Sequence, residues 1–105
     1  MQWPAGSVDL NKLAYAVGMY ETSQCTNPNS PTANARNNCH GIMMRTDDGG
    51  RTLRTFASTA DSAAAFKAIW KGSYGGFPTL AQARTYSGDE MACTWLKNVN
   101  RFYLQ

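Results

Sequence analysis

The sequence predicts a mostly α-helical α+β domain, and three observations predict it. Apolar residues recur at helical spacing in several separate stretches, one alternating segment flanks a single Asp-Gly turn, and 105 residues are too few for a second core. About four helices and one small hairpin account for the chain, as a single domain over residues 1–105 with its core at about 8–104.

Val8, Leu10, Leu13, Ala14, Val17 and Tyr20 mark the first helix, from about Val8 to Glu21, with Ser7 or Asp9 able to cap it. Thr26 to Asn38 is rich in Asn, Pro and Thr and has no apolar pattern, so it reads as a loop. Ile42, Met44 and Thr46 alternate with Met43 and Arg45, Asp47-Asp48-Gly49-Gly50 turns the chain, and Thr52 to Phe56 return. A hairpin this small must lean on helices. Ser58 and Asp61 open the next helix in the manner of a capping box, with Ala63, Phe66, Ile69 and Trp70 along it and Gly72, Gly75 and Gly76 breaking it. A short helix follows Pro78, carries Leu80, Ala81 and Ala83, and ends near Tyr86-Ser87-Gly88. Asp89 caps the last helix, which carries Met91, Ala92, Trp95, Leu96, Val99 and Phe102.

Composition excludes some classes. No run of about 18 apolar residues exists, so no membrane span is expected. The N-terminus lacks the basic start and apolar centre of a secretory signal, which suggests a mature domain with an added Met or export by another route. A net charge of +3 favours an anionic partner. The basic residues form no run and match no nucleic-acid motif, so a wall polymer is the better expectation.

Cys25 and Cys39 bracket the Asn-rich loop. A disulfide closing it would contribute about 3 kcal/mol and imply an oxidising, extracytoplasmic setting. Cys93 is then a free thiol, expected to be buried in the last helix. A zinc site from Cys25, Cys39, His40 and Cys93 lacks a close Cys-x-x-Cys pair, so no metal and no cofactor are expected. A Cys39–His40 hydrolase pair is disfavoured because neighbours in sequence point apart.

Glu21 and Glu90 are the only glutamates. Glu90 is placed in the first turn of the last helix, where the dipole favours an anion. Glu21 falls in the last turn of the first helix, where the dipole disfavours one, and Met19 and Tyr20 make its surroundings partly apolar. Both effects raise its pKa toward that of a general acid, although the residue types alone suit a surface glutamate better.

Ala14-Tyr15-Ala16-Val17-Gly18-Met19-Tyr20-Glu21-Thr22-Ser23 resembles the helix-ending Glu-Ser/Thr segment of the lysozyme-like superfamily, as in lytic transglycosylases and cell-wall glucosaminidases. Asn37-Asn38-Cys39-His40-Gly41-Ile42-Met43 resembles the Asn-Asn-x-x-Gly-Ile segment that follows the catalytic helix in glucosaminidase-type members. Phe56-Ala57-Ser58 with Asp61, Ser62 and Phe66, and Trp95-Leu96 with Val99 and Tyr103, are similar to later landmarks. The resemblance spans about residues 8–104. It implies a lysozyme-like fold acting on peptidoglycan strands; the size and the absent signal suggest a phage-derived or virion-associated domain, or one cut from a longer envelope protein, and a monomer is expected. Glu21 would be the general acid cutting β-1,4 glycosidic bonds. Asp47 or Asp48 would supply a second carboxylate, about 5–5.5 Å away in a retaining and 6.5–9.5 Å in an inverting enzyme. Those aspartates also suit an ordinary turn. Without them, one glutamate suffices for a transglycosylase. Asn37 and Asn38 are expected at the groove floor, hydrogen-bonding the glycan, and Tyr86, Tyr103 and Tyr74 are candidates for stacking on sugars. The other reading is a non-catalytic module that keeps the fold and binds glycan or protein.

Overall fold

The Asp9 carboxylate accepts hydrogen bonds from the backbone N–H groups of Asn11 (2.9 Å) and Lys12 (3.2 Å) and so starts helix α1, Leu10–Thr22. A computed structural model describes all of residues 1–105. One face of α1 (Leu13, Ala14, Ala16 and Val17) is fully buried. The principal surface it meets is the last helix, α5 (Ala92–Tyr103), whose Trp95, Leu96, Val99 and Tyr103 complete this side of the core. Between them in sequence come α2 (Pro31–Ala35), strands β1 (Met43–Arg45) and β2 (Arg51–Leu53), α3 (Thr59–Ile69) and α4 (Leu80–Ser87). The result is a mostly helical α+β chain with one two-stranded antiparallel sheet.

Several expectations need correction. The Asn-rich loop contains α2, because Pro31 at the first helical position is preorganised for a helix and Ala33 is buried. Gly72 does not end α3. The chain continues as a π-helical turn, Trp70–Tyr74, in which the Trp70 and Tyr74 rings stack at 4.5 Å. The Trp70 indole N–H donates to the Gly76 carbonyl (2.8 Å), and Gly75 (φ +81°) finally stops the turn. Asp89 does not cap α5. That helix begins after Met91 without a side-chain cap, and Glu90 stays exposed before it. Cys93 lies on the exposed face of α5 rather than in the core.

Other boundaries fall close to the reading. Ser58 caps α3 by accepting from the Asp61 N–H (3.2 Å), and Thr79 with Gln82 forms a full capping box on α4. The strands are shorter than expected and pair in the register Met43↔Leu53, Met44↔Thr52 and Arg45↔Arg51. Cys25 and Cys39 form the disulfide, with Cα atoms 4.9 Å apart. No helix is long and apolar enough to cross a membrane.

The disulfide closes a 14-residue separation that holds only one short helix. Replacing both Cys25 and Cys39 by Ser is therefore expected to lower stability by about 3 kcal/mol. Chemical denaturation reads this directly, and an unmoved midpoint would show that the loop holds itself.

Candidate active site

Three consecutive residues in the left-handed region, Ser23, Gln24 and Cys25 (φ 51°, 57° and 64°), end α1 abruptly just after Glu21. The N–H groups of Ser23 and Gln24 turn back to the carbonyls of Met19 and Gly18, which satisfies the last turn. The Thr22 hydroxyl donates to the Cys39 carbonyl (2.9 Å) and accepts from the Cys25 N–H (2.8 Å). With the disulfide beside it, this bond fixes the end of α1 against the segment Cys39–Gly41.

Gly41 is where the two segments meet. Its φ of +68° favours glycine, and a Cβ there would lie 2.8 Å from Glu21 Oε2. The Glu21 carboxyl is thus packed directly on the Gly41 backbone. It has neither a hydrogen-bond partner in the chain nor an opposing charge, and burial alone pushes its pKa up to about 7. The side chain keeps partial access to solvent.

Gly41 also begins the lining of a groove of about 340 Å³, within the size range of small-ligand sites. Ile42 continues from it, Met43, Met44, Arg45 and Arg51 of the hairpin form one wall, and Ile69, Tyr74, Thr85 and Tyr86 form the other. Glu21 touches this lining through Gly41 and is not itself part of it. Tyr86 is held in place because its hydroxyl donates to the His40 carbonyl (2.5 Å) and its ring packs edge-on to Phe66 and Trp70. Burial, then the charge of Glu21, then Tyr74 hold the Tyr86 phenol well above its ordinary pKa, so it stays a donor. Burial and the nearby Glu21 charge also raise Tyr20.

His40 braces this corner from within. It is 1% exposed, its Nε2–H donates to the Ala14 carbonyl (2.9 Å), and its Nδ1 accepts from the Ser62 hydroxyl (2.7 Å). The Ser62 oxygen in turn accepts from the Cys39 N–H (3.1 Å). Desolvation lowers the His40 pKa to about 4, so the ring is neutral and acts as a strut.

The structure separates the expected site residues. Tyr86 and Tyr74 line one groove, and Glu21 adjoins it through Gly41 without being part of the lining. Asp47 and Asp48 lie exposed at the hairpin tip, outside the groove lining, where Asp48 accepts from the Thr46 hydroxyl and the Gly50 N–H and these bonds lower its pKa. Asn38 is fully buried. Its amide spans the hairpin base, donating to the Ile42 (2.7 Å) and Arg54 (2.9 Å) carbonyls and accepting from the Ile42 N–H, which leaves nothing for a glycan. Asn37, with φ +54°, donates to the Phe56 carbonyl and turns the chain. Tyr103 is a core residue between Trp3 and Phe77, its hydroxyl accepting from the Asp9 N–H (2.9 Å). Stacking on a sugar is closed to it. Arg45, Arg51, Ile69 and Thr85 were not singled out for the site, since nothing in their spacing marks a groove. Gly41 stood in the sequence only as part of a landmark.

A wider depression of about 1040 Å³ runs along α5 past Leu80, Cys93, Lys97 and Arg101. Neither lining contains a carboxyl group, but the smaller groove has Glu21 packed on its Gly41, whereas no acid is among the residues of the wider one. Compared with protein-family models, curated proteins and solved structures, the chain matches none.

Two predictions follow from this geometry. Gly41→Ala strains a left-handed position and displaces the Glu21 carboxyl. Stability should fall by about 1–2 kcal/mol in thermal melts, and the Glu21 pKa should move in a carboxyl titration. An unchanged pKa would contradict the contact.

The second concerns pH. Glu21, raised from 4.5 to about 7, contributes stability that is present below pH 4.5 and lost as pH rises to 7. His40, lowered from 6.5 to about 4, contributes stability that is present above pH 6.5 and lost as pH falls toward 4. Each amounts to at most about 3 kcal/mol, and the two slopes oppose each other between pH 4.5 and 6.5. The wild-type stability is expected to be nearly flat in that window. In Glu21→Gln only the His40 slope remains, so this variant should weaken on acidification and exceed wild type above pH 7. Parallel stability curves for the two proteins would contradict both assignments.

Proposed function

We propose that this chain cleaves β-1,4 glycosidic bonds of peptidoglycan strands, with Glu21 as the general acid. The observation that carries the reading is the Glu21 carboxyl itself: partnerless, half-buried, with its pKa at about 7, and packed on Gly41, a residue that lines a groove walled by Tyr74 and Tyr86. A carboxyl still partly protonated at neutral pH is suited to hand a proton to a leaving oxygen. The resemblance of the Glu21 and Asn37–Met43 segments to lysozyme-like enzymes supplies the substrate class, and the positive net charge suits an anionic wall polymer. The disulfide suits an oxidising, extracytoplasmic setting.

In the first step Glu21 gives its proton to the oxygen joining two sugars. The C–O bond breaks, its electron pair stays on the departing oxygen, and positive charge develops on the other sugar. Asp47 and Asp48 are exposed at the hairpin tip, with Asp48 engaged by Thr46 and Gly50, which favours the single-carboxylate route over a two-carboxylate hydrolase. In that route the Glu21 carboxylate takes a proton from a hydroxyl of the same sugar, whose oxygen closes on the anomeric carbon to give an anhydro product. Tyr86 remains a neutral wall against the sugar and keeps the carboxyl desolvated.

Glu21→Gln is expected to cut the rate of cell-wall cleavage by about 10²–10⁴ while the circular dichroism spectrum is retained. The wild-type rate should fall tenfold per pH unit above about 7, as the acid loses its proton. Mass analysis of the fragments should show terminal residues lighter by one water. Undiminished clearing by Glu21→Gln contradicts the assignment, and retention of strands without fragments, even by the wild-type chain, would make the domain a binding module.

A further inference from the structure

We infer that Arg45 and Arg51 form an anion subsite in the groove that takes a carboxylate carried by the glycan strand. This inference rests on the glycan-cleaving reading for its ligand but on separate residues for its evidence. The two arginines are directly opposite each other across the hairpin and both line the groove. Like charges in that position destabilise a two-stranded sheet, which is already marginal at three residues per strand.

Every neighbouring arginine of this region is engaged within the chain. Arg36 donates to Thr52 Oγ1 (3.1 Å) and to the Leu53 carbonyl (2.7 Å), and Arg54 lies 4.7 Å from the centre of the Phe56 ring. Arg45 and Arg51 make no side-chain hydrogen bond. The adjacent acids do not neutralise them: Asp48 is occupied by Thr46 and Gly50, and Asp47 is exposed at the tip. Two uncompensated guanidinium groups facing one groove suit a planar, two-oxygen anion, which a guanidinium fork holds by paired hydrogen bonds. Met43 and Met44, each about half exposed on the same wall, offer adaptable apolar contact beside it.

The four residue steps from Gly41 to Arg45 span about 13 Å when extended, so the subsite lies away from the bond that Glu21 would cut. It therefore selects the strand rather than taking part in proton transfer. A wall glycan can present a carboxylate on the sugar's own lactyl ether or on an attached peptide, whereas a neutral amino-sugar polymer presents none.

Binding to the Glu21→Gln variant separates these cases. Three strands of equal length serve as probes: a neutral β-1,4-linked N-acetylglucosamine oligomer, wall glycan stripped of peptide so that lactyl carboxylates are free, and wall glycan with its peptides intact. The charged strands are expected to bind about ten-fold more tightly than the neutral one, with the gap narrowing as salt is added. In the Arg45→Ala/Arg51→Ala double variant the gap should shrink to within two-fold, and the charged strand that loses more affinity identifies the source of the carboxylate. The double variant should melt no lower than its parent, because a repulsive pair has been removed. Equal affinity for neutral and charged strands, or a gap unchanged in the double variant, overturns the subsite. Selective binding by an uncleaving wild-type chain would leave the subsite standing and remove the enzymatic reading, while cleavage that needs Glu21 but ignores charge would do the reverse.

Discussion

A carboxyl group pressed against backbone, without a hydrogen bond or a counter-charge, is costly to ionise, and the architecture around Glu21 keeps it in that position. The carboxyl sits on Gly41, at a position where a methyl group would not fit. Relief would require either α1 or the Cys39–Gly41 segment to move. The disulfide, the Thr22–Cys39 hydrogen bond and the His40–Ser62–Ala14 chain each oppose that movement from a different direction. The free energy that keeps the acid protonated is thus drawn from the packing of the whole corner rather than from one contact.

The same corner explains why several polar residues have no role toward a ligand. Asn38 and Asn37 are consumed in holding the base of the hairpin, and Tyr103 in tying the start of α1 to the end of α5. A small domain has few buried polar groups, and those it has must be satisfied internally. What remains in the groove is a short set, two aromatic phenols, two methionines and two arginines, with one acid adjoining it through Gly41. The acid and the phenols stand where the hairpin leaves the helices, and the arginines stand farther out along it.

Much of the fold was legible in the sequence because it rests on local signals. The apolar spacing of α1 and α5, the caps at Asp9 and Ser58, and the Asp-Gly turn all express short-range preferences that the fold respects. The misses have physical causes. The π turn through Gly72 depends on ring stacking between Trp70 and Tyr74 and on a bond to Gly76, which outweigh the glycine's intrinsic preference. The α2 helix is carried by Pro31 and one buried alanine inside a polar stretch. Cys93 was misplaced because its helix is amphipathic and only the fold shows which face is outward. For the site, Glu21 was legible from its position at a helix end, but Gly41 beneath it and the arginine pair beyond it are products of tertiary contact.

The central claim is the protonation state of one side chain, and a carboxyl-carbon NMR titration of Glu21 in the intact, oxidised chain measures it directly. A midpoint near 7 is the expected result. A midpoint at the ordinary glutamate value of about 4.3 would mean that the carboxyl is freely hydrated, and the proposed acid would be lost.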